Sequence, residues 1–252
     1  MTFVDSSRAT PEPRPASERT LETEVYVPDG PGPFPLIVHA HGFEGAPQKF
    51  TGLLTSWAEA GYVVVAPRFP LTSDTGPGNS GLGDYTEQPA DVSFVIDELL
   101  ASDQYAAAID PERIGVSGLS LGGGTVYGLV WNTCCRDERI DAAIVMSSLR
   151  FPFEGEFGTN DIPVMILHGD ADPALRYDEA VISYEESAAP KWFVQLVGGS
   201  HASPYEDDQS PHDELVVTVT LDFWAGTLGA DASALDRIAD DGTVDGLATV
   251  EH

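Results

Sequence analysis

Six stretches of this chain are almost continuously apolar and too short to be anything but strands buried on both faces: PLIVHAHG (Pro35 to Gly42), YVVVAP (Tyr62 to Pro67), RIGVSG (Arg113 to Gly118), DAAIVMSS (Asp141 to Ser148), IPVMILHG (Ile162 to Gly169) and KWFVQLVGG (Lys191 to Gly199). Between them lie segments with helical spacing. Phe50, Leu53, Leu54, Trp57 and Ala58 share one face of the first, and Val92, Phe94, Val95, Leu99 and Leu100 line the second, which starts with Pro89 near its first turn. Buried strands alternating with amphipathic helices predict an α/β fold, a mostly parallel central sheet covered on both sides. At 252 residues, with no repeat and no internal linker, the chain is expected to form a single domain.

The ends read differently. Residues 1–19, rich in Pro, Ser and charge, are expected to form a surface arm, followed by an edge strand at TLETEVYVP (Thr20 to Pro28). Residues 229–252 are expected to form a polar, acidic tail. The N-terminus has no basic start followed by an apolar core, so it does not read as a secretory signal, and a trimmed leader stays open.

Charge excludes some partners. Forty-one acidic residues face 12 basic ones, for a formal charge of -29, and a nucleic acid or an anionic bilayer would be repelled. No apolar run has the length of a membrane span, so membrane insertion is not expected. Self-repulsion on this scale is relieved by salt, as in a protein from a salt-loving source. The only two cysteines, Cys134 and Cys135, are adjacent; pairing neighbours requires a strained ring and no His lies beside them, so unpaired buried thiols are expected and no metal site.

One stretch carries chemistry. In GLSLGG, Ser120 is flanked by Gly118 and Gly122, after a buried strand and before a helical segment. A strand that turns sharply into a helix strains the turn residue, and glycines two positions to either side let strand and helix approach. Ser120 is then presented at a helix N-terminus, where the Leu121 amide is free to donate to a developing oxyanion. A serine hydroxyl needs a base, and the base needs an acid to hold its tautomer. HGDADP offers Asp172, with Asp170 as the weaker choice, and GGSHASPY offers His201, each just past a buried strand. His39, His168, His212 and His252 read as core or surface residues, and His41 as a packing or rim residue. Acids are dense around Asp172, but the spacing of a calcium loop is missing.

These residues resemble the α/β-hydrolase superfamily from about Thr20 to Leu228, with HAHGFEG, QPADVSFVIDELL and IDPERIGVSGLSLGGG similar to bacterial serine esterases. Those include relatives of dienelactone hydrolase, platelet-activating-factor acetylhydrolase and cutinase-like polyesterases. The resemblance implies a cofactor-free serine carboxylester hydrolase with a second oxyanion donor at Phe43, Gly42 shaping its turn. It also implies a substrate cleft lined by Gly42, Phe43, Leu121, Leu149 and Phe151. Leu119 stands where many of these esterases have His, Ser120 replaces the Cys of a dienelactone hydrolase, and Leu149, Phe151 and Phe153 replace a Trp common in the cutinase-like enzymes. Only a short loop separates the strands ending near Ser148 and starting near Ile162, so no cap is expected and the cleft should admit small or polymeric esters. The Leu71 to Tyr85 loop is either one wall or plain surface. The same residues would serve an amide hydrolase or a perhydrolase, and a chain that kept the fold and lost the chemistry would be a binding protein. A neutral imidazole base, with an unperturbed pKa of about 6.5, implies activity at neutral to mildly alkaline pH.

Overall fold

The computed structural model describes residues 1–74, 78 and 80–252. Its strands are β1 (Thr2–Asp5), β2 (Arg19–Tyr26), β3 (Phe34–Ala40), β4 (Val63–Arg68), β5 (Ile109–Leu119), β6 (Ile140–Met146), β7 (Val164–Gly169), β8 (Lys191–Leu196) and β9 (Ala248–Glu251). Among the described residues they form one nine-stranded sheet in the order β1-β2-β4-β3-β5-β6-β7-β8-β9. The span from β4 to β8 is parallel, and the outer pairs are antiparallel.

Within each apolar run the side chains still alternate between faces. Leu36, Val38 and Ala40 join one core layer, under α2 (Gln88–Ala101), α3 (Leu121–Trp131) and α4 (Tyr177–Glu185). Ile37 joins the other, under α1 (Thr51–Glu59), α5 (Asp213–Thr227) and α6 (Ala234–Gly242). Both faces being dry is why the strands carry no polar alternation. α3 is buried on every side, so the helix that follows Ser120 is held by packing rather than by an amphipathic face. Among the described residues no helix is long and apolar enough to cross a membrane.

Chain direction across the sheet fixes where a site can form. From β3 the chain moves outward to β4, then returns to β5 on the other side of β3. The carboxyl ends of β3 and β5 therefore diverge at a switch point, the place where open α/β sheets hold ligands. β3 leads into Gly42 and Phe43, and β5 leads into Ser120. The 147–163 connection from β6 to β7 holds no helix, in keeping with the expected lack of a cap.

Three expectations are corrected. Residues 1–19 are not wholly a surface arm: residues 11–18 are exposed, but Thr2–Asp5 pair with β2, so the strand read as an edge lies second from it. Arg19 is 0% exposed and donates to Asp84 at 2.9 Å and Asp91 at 2.6 Å, while Arg8 reaches Asp5 at 2.7 Å and Asp91 at 2.8 Å. Those ion pairs draw the N-terminal segment onto the start of α2, a partnership across more than sixty residues that composition does not reveal. Residues 229–252 are not a tail either. α6 seats Ala234 and Ile238 in the core against α5, and β9 closes the sheet edge beside β8. Finally, Cys134 and Cys135 form a disulfide with each other, and Cys134 is exposed. The turn after α3, in which Asn132 Oδ1 accepts the Cys134 amide at 2.9 Å, leaves Cys134 exposed and Cys135 half-buried.

Removing one partner of a buried ion pair leaves the others charged and desolvated, so Arg19→Met is expected to lower unfolding free energy by about 3–5 kcal/mol in urea titrations. A change below about 1 kcal/mol, the range of an exposed pair, would place Arg19 outside the stabilising set.

Candidate active site

Ser120 sits at φ 55° and ψ -118°, a left-handed conformation unusual for a residue with a Cβ. Two contacts impose it. The turn brings α3 so close to the end of β3 that a Cβ on Gly122 would fall 2.0 Å from the Ala40 carbonyl oxygen, and one on Gly118 would fall 2.3 Å from the Gly122 oxygen. The Ser120 amide then donates to Met146 O at 2.9 Å, and its carbonyl accepts from Gly124 N and from the Ser148 hydroxyl. Backbone strain of this kind persists because the surroundings over-determine it.

Ser120 Oγ lies 2.8 Å from His201 Nε2, and His201 Nδ1 lies 2.7 Å from Asp172 Oδ2. A carboxylate accepts only, so Nδ1 carries the proton and Nε2 is left as the acceptor for the serine hydroxyl. Asp172 Oδ1 takes the amides of Ala174 at 2.7 Å and Leu175 at 2.9 Å. Burial alone would raise the Asp172 carboxyl, but the His201 hydrogen bond and those two amides hold it below its ordinary value of 3.8.

The acid and histidine loops meet backbone to backbone. Ala171 donates to Gly199 O at 3.1 Å, and a Cβ on Gly169 would fall 2.1 Å from that same oxygen. Tyr205, four residues past His201, buries its hydroxyl to donate to Leu167 O at 3.1 Å, fastening the histidine loop to β7. Asp170 faces the other way: it accepts Gly198 N at 2.7 Å and the Gln195 amide at 2.9 Å, and holds the β8 turn instead of the imidazole. Asp178, on α4, is a solvated charge bonded to Arg176.

On the opposite wall, Gly42 packs directly on Ser120, its position for a Cβ 3.2 Å from Ser120 Cβ. The Gly42 carbonyl accepts from His41 Nδ1 at 2.8 Å and from Gly45 N at 3.0 Å. That carbonyl and the Phe43 N–H belong to one planar peptide and point in opposite directions, so pinning one aims the other. His41 is in turn fixed by Nε2 accepting the Phe69 amide at 3.1 Å, and burial pushes its pKa down to about 4, which keeps it neutral. Phe43 is 40% exposed and Leu121 is buried, and among the described residues neither amide donates to a protein acceptor. Phe151 lies over the bare backbone at Gly124, one turn from Ser120, edge-on to Tyr85, and Leu149 is half-buried against the core layer beneath α3. Part of the Leu71 to Tyr85 loop lies outside the described residues; its end, Leu82–Glu87, is a 3-10 turn carrying Tyr85.

Two residues close to the site were given only bland roles by sequence reasoning. His41, read as packing, brackets the Gly42 peptide. His168, read as a core residue, is buried with Nε2 3.2 Å from Leu175 O and 3.3 Å from Asp172 Oδ2, a second donor beside the acid. Burial lowers its pKa, so it supports the carboxylate as a neutral ring. The signal for both was position, each ending a buried strand. His39 is a core residue bonded to Ser117, and His212, expected at the surface, is buried against Val197 O.

A sheet of this order, with a strained serine between β5 and α3 and acid and histidine loops after β7 and β8, defines an α/β-hydrolase. Residues 4–149 match the chlorophyllase family, more than half of the 252 residues, and the chain belongs to that family. The match takes in Ser120 and ends before Asp172 and His201. Over 154 residues the chain is 27% identical to Lipase 1 of Moraxella sp. (strain TA144), covering 60% of this chain and 42% of the lipase. It thus spans less than half the length of that relative. Among solved structures, a thermophilic esterase of the planctomycete Thermogutta terrifontis, Est2 with propionate bound, shares the fold at a TM-score of 0.65 and 16% identity, over 81% of this chain and 89% of the other. The superfamily read from the motifs holds, and the family that matches is the chlorophyllases.

Because the Asp172 carboxyl is held below 3.8 in the folded state, its ionised form contributes stability that is present above that value and is lost as pH falls through the lower, folded value. The stability difference between wild type and Asp172→Asn is expected to be constant from pH 7 to about 5 and to shrink below about pH 4. Urea titrations at pH 7, 5 and 3 check this; a difference unchanged at pH 3 would mean that the carboxylate gains nothing from its partners.

Proposed function

We propose that this chain is a serine carboxylester hydrolase working through an acyl-enzyme. The observation that carries the reading is the unbroken hydrogen-bonded series from Ser120 through His201 to Asp172 at the switch point of the sheet. Likeness to a lipase and to an esterase supports the same class.

In this reading Ser120 Oγ attacks the ester carbonyl as its proton passes to His201 Nε2. Asp172 stabilises the imidazolium and keeps its plane aligned. The negative charge on the former carbonyl oxygen is met by the amides of Phe43 and Leu121, the second at the positive end of α3. His201 then gives its proton to the departing alkoxide, leaving an ester on Ser120. Water repeats the sequence, losing its proton to His201 and releasing the acid. The side chains suffice for each proton transfer, and the reading calls for no cofactor.

Substrate breadth follows from the missing roof. The 147–163 connection has no helix to cover Ser120, which supports acceptance of bulky acyl and alkyl groups, polyester chains among them. The acidic surface favours neutral esters and speeds the departure of anionic acids.

Wild type is expected to release p-nitrophenol from acetyl, butyryl and octanoyl esters, and Ser120→Ala to fall at least about a thousandfold with its circular dichroism unchanged. Parallel assays on a p-nitroanilide, a polyester film, and chlorophyll, for which the family is named, rank the substrate classes. Equal rates for wild type and Ser120→Ala would contradict the reading, and faster turnover of the anilide than of the ester would replace it with an amide hydrolase.

A further inference from the structure

Phe43 and Leu121 come from opposite sides of the site, one from the loop after β3 and one from the first turn of α3. Two donors serve one oxyanion only if their separation is held to a fraction of an ångström, and neither element fixes the other by itself. A buried polar series joins them. Glu44, beside Phe43, donates its amide to Thr72 O at 2.7 Å. The Thr72 hydroxyl accepts the Gln88 side-chain amide at 2.5 Å, and the Gln88 carbonyl oxygen accepts the Thr125 hydroxyl. Thr125 lies one turn beyond Leu121 and is also 3.2 Å from Leu121 O. Thr72, Gln88 and Thr125 are all 0% exposed.

We propose that Gln88 is a positioning residue that sets the distance between the two oxyanion donors by tying the Phe43 loop to the first turn of the nucleophile helix; this rests on the ester-hydrolase reading above. Gln88 opens α2, and Pro89 after it packs on α3 near Gly128, so the amide is delivered from a third, rigid element. The Gln88 amide, a donor at one end and an acceptor at the other, bonds both threonine hydroxyls across this gap. Thr125 keeps Leu121 O as an alternative acceptor, so the fold tolerates losing the amide while the tie is cut.

The test compares Gln88→Leu, Thr125→Val and Thr125→Ser with wild type on p-nitrophenyl butyrate, and measures inhibition by an aryl trifluoromethyl ketone, whose adduct with a serine places an oxyanion between the two amides. Gln88→Leu and Thr125→Val are expected to lose about tenfold or more in kcat and a similar factor in ketone affinity, with KM within about threefold. Thr125→Ser, which restores the hydroxyl, is expected to recover most of both. A purely structural role would lower the unfolding midpoint and leave ketone affinity unchanged. Folded Gln88→Leu and Thr125→Val within about twofold of wild type in kcat and ketone affinity would overturn the proposal while leaving the hydrolase reading intact. Should Gln88→Leu fail to fold, the two Thr125 variants decide alone. A wild type without ester turnover would end both.

Discussion

Gly122 meets the last carbonyl of β3 so closely that no side-chain carbon fits between them, and the site depends on that contact. It forces the strand-to-helix turn, the turn puts Ser120 at positive φ, and this backbone points the hydroxyl out of the sheet toward His201. Because the same contact is made to β3, the loop that follows β3 is carried to the serine's other side, where Gly42 touches it. A second crossing, Gly169 against Gly199, does for the acid and histidine loops what Gly122 does for the serine. The side chains of the candidate site are thus placed by backbone contacts that admit only glycine.

That is also why so much of the site was legible in the sequence. Gly118 and Gly122 around Ser120, and the strand-ending HGDADP and GGSHASPY, are local patterns reporting local geometry, and the mostly parallel, two-sided sheet needed only the alternation of buried strands with helices. The residues that hold the site in register were not legible. Gln88 and Arg19 look like ordinary polar residues near a turn, with partners 16 to 72 residues away, and His41 and His168 look like strand-end packing. The N-terminal strand and the last helix and strand were missed for a related reason: polar composition suggested solvent, while buried ion pairs and sheet edges decided the outcome.

Charge has two roles in this molecule. On the surface the acidic excess repels anionic partners. Inside, the carboxylates near the start of α2 and the candidate site are paired: Asp84 and Asp91 by Arg19, Asp172 by His201, two amides and a neutral His168 beside it. Near Ser120, Asp172 is held ionised by its partners, and burial keeps His41 and His168 neutral.

The most direct test of the central claim is to trap the covalent intermediate. Mixing the protein with p-nitrophenyl butyrate, quenching in acid within the first turnovers and sequencing peptides by mass spectrometry should place one butyryl group on Ser120, absent from Ser120→Ala and formed far more slowly when His201, the base for its formation, is replaced. Hydrolysis that proceeds with Ser120 never acylated, or an acyl group found on another residue, would contradict the account.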